Sequence, residues 1–396
     1  MPVATNGMRI RVRMSARPID EPHRVSSQLE LLFDLTFVIA VAAMTARFAH
    51  AIADGHGLAG VLPFLQVFFA IWWAWMNFTW FASSYDTDDV AYRLLTMVQM
   101  GGVLVLAAGV PAALGHADYT FVTLGYLVMR IGLIAQWLRA GFEDRARRRT
   151  ALRYAVGLGA LQVGWLLLAQ QDTLPSYAHA LAFACLAVLE LAVPRWAERI
   201  TPTTWHPHHI AERYGLFAII LLGESVLAAS RGVEGALETG AVSSPFVVVA
   251  VSGLVLLFAH WWLYFLVQAG EGLNDRRHRS YLWGYGHFGI FAALAALGAG
   301  LEVAVEQSGH GVVASPLAVG YAVAVPVGVY LVLLWAVQAL VMEPVFHPAA
   351  VLGSVAGILS LPLASSRIGV AGVVAGIAAI CVLLVAVTIA GKASRT

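Results

Sequence analysis

The chain has 396 residues, 60% of them hydrophobic and 12% charged, with a formal net charge of +1. That leaves too little polar surface to cover a water-soluble globule, so the composition is that of an integral membrane protein surrounded by lipid bilayer. Nothing in this charge balance suggests a nucleic-acid partner, and the placement of charge between loops becomes the informative quantity.

In chain order, a basic tail over residues 1–28 carries Arg9, Arg11, Arg13, Arg17 and Arg24. It leads into acid-bearing apolar sequence without a small-residue cleavage site, so no cleaved signal peptide is expected. Apolar runs of about 20 residues, each able to cross a bilayer as a helix, then follow at roughly 29–50, 61–83, 93–114, 118–140, 150–170, 177–194, 209–230, 245–268, 280–304, 315–342, 348–366 and 368–391. The predicted fold is therefore an all-α polytopic membrane protein of about twelve transmembrane helices. A first six-helix half occupies 29–194, a linker 195–208, a second half 209–391 and a short tail 392–396. Arginines gather in alternate loops (Arg139 to Arg153, Arg195 and Arg199, Arg276 to Arg279, then Lys392 and Arg395), which places both termini in the cytoplasm. Cys185 and Cys381 lie inside apolar runs and read as small packing residues rather than a disulfide or zinc site.

The halves read as two copies. Trp72 and Trp73 recur as Trp261 and Trp262, with Asp86 and Tyr92 matched by Asp275 and Tyr281 at the same spacing downstream. An offset of six helices gives both copies the same orientation, related by an axis along the membrane normal. Chance likeness among apolar helices is the competing explanation.

Acids inside apolar runs are the strongest lead, because a carboxylate in hydrocarbon is costly without a partner or a function. Glu30 and Asp34 open the first span on one helical face, and two ionised acids there would repel unless a proton or a cation is shared. Glu212 stands at the matching entry to the seventh span, with Glu224 about 18 Å deeper. Arg130 lies mid-span and needs a carboxylate or a wet cavity. His260 and Tyr264 share a face of the eighth span, and His287 lies at a similar depth on the ninth. Helix capping is the alternative for Glu30 and Glu212, a structural ion pair for Asp34 and Glu224, and interhelical hydrogen bonding for the two histidines.

No metal site is expected. His208 and His209 beside Glu212 are the weak candidates, but Pro207 and the absence of a second histidine one turn on favour an interfacial loop. No phosphate-binding glycine loop, nucleophile elbow or dinucleotide fingerprint occurs, so no cofactor is indicated.

The runs LELLFDLTFVIAVA, HHIAERYGLFAIILLGESVLA, WWLYF and YGHFGIFAALAALGAGLE resemble the bacterial low temperature requirement A (LtrA) family of multipass membrane proteins. The motif positions that carry the resemblance are Glu30, Phe33, Asp34, Glu212, Arg213, Gly215, Gly223, Glu224, Tyr264, His287 and Glu302. It implies a multipass architecture in the bacterial plasma membrane and an association with growth at low temperature, without a biochemical activity to transfer.

Three functions remain open. A proton-coupled secondary transporter or permease for an unidentified small molecule would use Glu30, Asp34 and Glu224 as proton carriers, with Arg130 neutralising them or holding an anionic substrate and His287 as a relay. A membrane-embedded enzyme would use Asp34 or Glu224 as a general acid on a lipid or isoprenoid substrate. A non-catalytic membrane stress factor would use the same groups only to specify packing.

Overall fold

Within hydrocarbon every backbone amide must be bonded inside its own segment, so apolar runs of this length fold as helices. The computed structural model describes residues 10–22, 24–171, 174–239, 243–267, 269–309, 312–343 and 345–393. Arg9 and Arg395 of the two basic tails lie outside the described residues, as does the side chain of Lys392. Among the described residues the regular structure is wholly helical.

The helices are α1 (Gln28–Ala53), α2 (Gly57–Tyr85), α3 (Val90–His116), α4 (Thr120–Glu143), α5 (Arg148–Leu168), α6 (Ser176–Ala197), α7 (Pro207–Thr239), α8 (Ser244–Phe265), α9 (Ala269–Asp275), α10 (Ser280–Gly309), α11 (Pro316–Val341), α12 (Pro348–Ser360) and α13 (Ser365–Ala393). Among the described residues ten stretches are long and apolar enough to cross a membrane, α8 and α9 being counted as one and α12 and α13 as another of 44 residues. Inside that stretch a 3-10 turn over Leu361–Ala364 and a positive φ of 68° at Gly369 interrupt the helix. The seventh helix is longer, with 33 residues and a more mixed composition. The seven-residue α9, which the apolar pattern did not signal, sits between α8 and the basic turn at Arg277–Arg279.

Several ends are set by short polar side chains. The Asp89 carboxylate accepts the Tyr92 amide at the start of α3, and Ser243 and Ser315 cap α8 and α11, each with proline in the first turn. Ala117, with φ 57°, closes α3 in the left-handed region.

The chain divides into two compact units, one of residues 1–40 and 70–210, the other of residues 41–69 and 211–396. In the first, α3 and α4 approach closely through Gly102 and Gly125. A Cβ on either would meet the carbonyl oxygen of the other at 2.5–2.6 Å, so neither position admits a side chain without backbone movement. The same helix pair carries a buried ladder in which Gln99 donates to Gln136 (2.9 Å) and Gln136 donates to Thr96 (3.1 Å). Trp72, Trp73 and Trp75 are all buried. In the second unit, α10 packs on α11 where Gly300 meets the Ala322 carbonyl, and the Ala314 amide donates to the Ala53 carbonyl at 2.9 Å. Trp261 and Trp262 are about half exposed there, at 46% and 48%.

Candidate functional site

In the first unit, the start of α1 is built from a reciprocal cap. The Ser27 amide donates to Glu30 Oε2 (2.7 Å) and the Glu30 amide donates to Ser27 Oγ (3.4 Å), the pairing that Ser-x-x-Glu makes at a helix start. The second Glu30 oxygen faces inward, with His209 Nε2 at 3.0 Å and Arg24 Nη2 at 3.5 Å. One carboxylate oxygen of Glu30 thus caps α1 while the other contacts buried basic groups.

Arg24 also reaches Asp86 at 3.5 Å, in the connection between α2 and α3, and Arg17 reaches the same carboxylate at 3.5 Å. Glu30, Arg24, Asp86 and His209 are all nearly inaccessible, with side-chain exposures of 0–6%. Burial, reinforced by the nearby Glu30 charge and opposed by Arg24 and Arg17, pushes the Asp86 carboxyl up to about 6. Neighbouring Asp89 shows the reverse balance. Burial there is outweighed by hydrogen bonds from Arg139 and from the Val12 and Tyr92 amides, which hold it down at about 2.

Asp34 lies one turn beyond Glu30 and is 2% exposed, with Trp75 Nε1 donating to Oδ1 at 2.7 Å. The first unit therefore gathers three carboxyls, Asp86, Glu30 and Asp34, from the connection before α3 into the first turns of α1.

Arg130 is neutralised by Glu190 of α6 at 2.7 Å. Glu190 also accepts Trp73 Nε1 (2.9 Å) and Trp165 Nε1 (3.0 Å), while Arg130 donates to the Tyr126 hydroxyl (2.9 Å) and lies over its ring. The Glu190 carboxylate thus has three donors, the satisfaction that the acid of a buried ion pair requires, while Nη1 of Arg130 is buried without a hydrogen-bond partner among the described residues. The sequence reading did not include Glu190, although LAVLELAV places an acid inside an apolar run.

The remaining expected residues lie in the second unit. Glu224 is 3% exposed on α7 and Arg213 is fully buried, whereas Glu212 is exposed. His287 sits in an aromatic setting of Trp283, Tyr214, Phe291 and Tyr264, with its Nδ1 2.8 Å from the Trp283 carbonyl. His260 Nδ1 is 2.7 Å from the Leu256 carbonyl, and the Tyr330 hydroxyl donates to the His260 carbonyl at 2.7 Å. Each imidazole thus has Nδ1 on the carbonyl one turn back along its own helix. Of the two weak metal candidates, His208 is exposed and His209 faces Glu30. Among the described residues no group of three or more His, Cys, Asp or Glu is arranged to hold a metal ion.

The second unit also contains an apolar groove of about 540 Å³ between the α1–α2 turn and α10 and α11, walled by Phe48, Phe64, Phe288 and Tyr321.

Residues 25–389 match the family described as bacterial low temperature requirement A protein. The chain is also 26% identical over 283 residues to an uncharacterized protein of Rhizobium meliloti (strain 1021), a match covering 67% of this chain and 66% of that protein. No solved structure matches it. With its series of helices long and apolar enough to cross a membrane, and a family match over nearly its whole length, the chain belongs to the bacterial LtrA family.

Proposed function

We propose that this LtrA-family protein is a proton-coupled secondary transporter or permease of the bacterial plasma membrane. The carrying observation is the buried series Asp86, Glu30 and Asp34, with Arg24 and His209 beside it at the end of a membrane-spanning helix. Acids kept inside an apolar protein next to basic partners are suited to proton transfer, since burial favours the neutral form while an adjacent Arg or His favours the charged one. Glu30, Asp34 and Asp86 exchange protons in this reading, and His209 relays between Glu30 and its surroundings. Glu224, His287, His260, Tyr264 and Glu212 are assigned to the path of the solute or the proton through the second unit.

Around this site we place twelve spans arranged as two parallel six-helix repeats, with both termini in the cytoplasm. The arginine-bearing loops and the paired Trp and Asp motifs support that topology. In this reading Arg130, paired with Glu190 and bonded to the Tyr126 hydroxyl, serves packing, the two indoles completing the Glu190 side of the pair.

The test is a proteoliposome assay of pH-dependent solute flux with Asp34→Asn and Glu30→Gln beside the parent. Flux abolished in folded variants supports the reading; no pH-dependent flux for any solute of a broad panel removes it. The groove beside Phe48 and Phe288 favours a second reading, an enzyme or carrier acting on a lipid. Among its lining residues Tyr321 has the only titratable side chain, so that reading leaves the carboxyl series unexplained.

A further inference from the structure

The segment before α1 has no regular secondary structure over residues 11–18, yet it is held on the first unit by directional bonds. The Val12 amide donates to Asp89 Oδ2 at 2.8 Å, and the Val12 carbonyl accepts from Arg139 at 2.6 Å. The Met14 amide donates to Glu143 Oε2 at 2.6 Å, and the Met14 side chain is fully buried. Arg13 Nε donates to the Glu143 carbonyl at 2.9 Å, Arg11 pairs with the Glu143 carboxylate at 3.1 Å, and the Arg17 amide donates to the Ser84 carbonyl at 2.9 Å.

Charge matches along the contact. Arg11, Arg17 and Arg24 come from the segment, whereas the carboxylates of Glu143, Asp86 and Glu30 receive them from α4, the α2–α3 connection and α1. Two of these arginines, Arg17 and Arg24, lie directly on the carboxyls of the proposed proton site. An extended chain has no internal amide bonds to keep it in place, so its position depends on these outside acceptors.

We propose that residues 10–22 with Arg24 form a strap that closes the Asp86–Glu30 cluster from its aqueous side, with Asp89 and Glu143 as its anchors. Its closure of the cluster is a matter of access, and its effect on transport rests on the proton-carrying function proposed above. Glu143 and Arg13 hold the strap without touching the cluster, so they separate the lid from what it covers. Freeing the strap removes Arg17 and Arg24 from the two carboxyls together and lets water reach both.

The test uses the full chain in detergent or nanodiscs. Glu143→Ala and Arg13→Ala are compared with the parent by amide hydrogen exchange over residues 10–22 and by labelling of Asp86 and Glu30 with a water-soluble carbodiimide and an amine, read by mass spectrometry. Arg13 is exposed, so its truncation leaves packing intact. The expected result is faster exchange in the strap with several-fold faster labelling of both carboxyls. Faster exchange with unchanged labelling would overturn the lid, as would equally rapid labelling in the parent. Faster labelling with no proton flux in parent or variants supports the lid and overturns the proton-carrying function, so the two failures are distinct.

Discussion

His209 Nε2 lies 3.0 Å from Glu30 Oε1, which joins the first turn of α7 to the first turn of α1 through two fully buried side chains. Groups in such contact should not contribute independently to stability. In a double-mutant cycle of Glu30→Gln and His209→Gln, followed by thermal or denaturant unfolding, the coupling is expected at about 0.5–3 kcal/mol. A coupling indistinguishable from zero would remove the pair as an energetic unit and leave Glu30 only its cap with Ser27.

Asp86 gives the fold a definite pH dependence. Its carboxyl is raised from 3.8 to about 6 in the folded chain, so the folded state holds its proton more tightly than the unfolded state. The associated stability is fully present below about pH 4, declines as pH rises between about 4 and 6, and is gone above that; the change is on the order of 3 kcal/mol. Asp86→Asn should flatten this part of the profile when melting is followed from pH 4 to 7. An unchanged slope in the variant would assign the dependence to other groups.

The buried ion pair makes a prediction of opposite character. Glu190→Gln leaves Arg130 charged, buried and without its carboxylate, and should destabilise the protein by about 3–5 kcal/mol, as should Arg130→Met. Replacing both should cost clearly less than the sum, because no uncompensated charge then remains. Unfolding by denaturant in detergent measures all three; single variants as stable as the parent would show the pair to be dispensable.

These residues also show where sequence reasoning stops. Helix positions follow from apolar run length, because the bilayer leaves the backbone no other way to satisfy its amides. Burial of Asp34 and Glu224 was legible for the same reason, as was the need of Arg130 for a carboxylate or a wet cavity. That the carboxylate is Glu190 was not, since helix pairing within a bundle is set by side-chain shape that hydropathy does not encode. Glu190 still left a signal, being an acid inside an apolar run, and matching every such acid against every mid-span arginine would have found it. The Ser27–Glu30 cap is written in four adjacent residues. His209 meets Glu30 only through the tertiary fold, and residues 10–22 of the basic tail that read as a topology signal form a bonded segment with the Met14 side chain buried.

Gly101 and Gly102 are adjacent on α3 and should respond to alanine with opposite signs. A Cβ at Gly102 would lie 2.5 Å from Met129 Cγ and 2.6 Å from the Gly125 carbonyl oxygen, whereas one at Gly101 would meet nothing within 4 Å. Overpacking against backbone forces α3 and α4 apart, so Gly102→Ala should cost about 1–3 kcal/mol. At Gly101 the methyl enters open space on a regular helix, and the reduced freedom of the unfolded chain should stabilise by about 0.5–1 kcal/mol. The two melting temperatures measured side by side decide it, because a general intolerance of α3 to substitution would lower both, while close approach at one face lowers only that of Gly102→Ala.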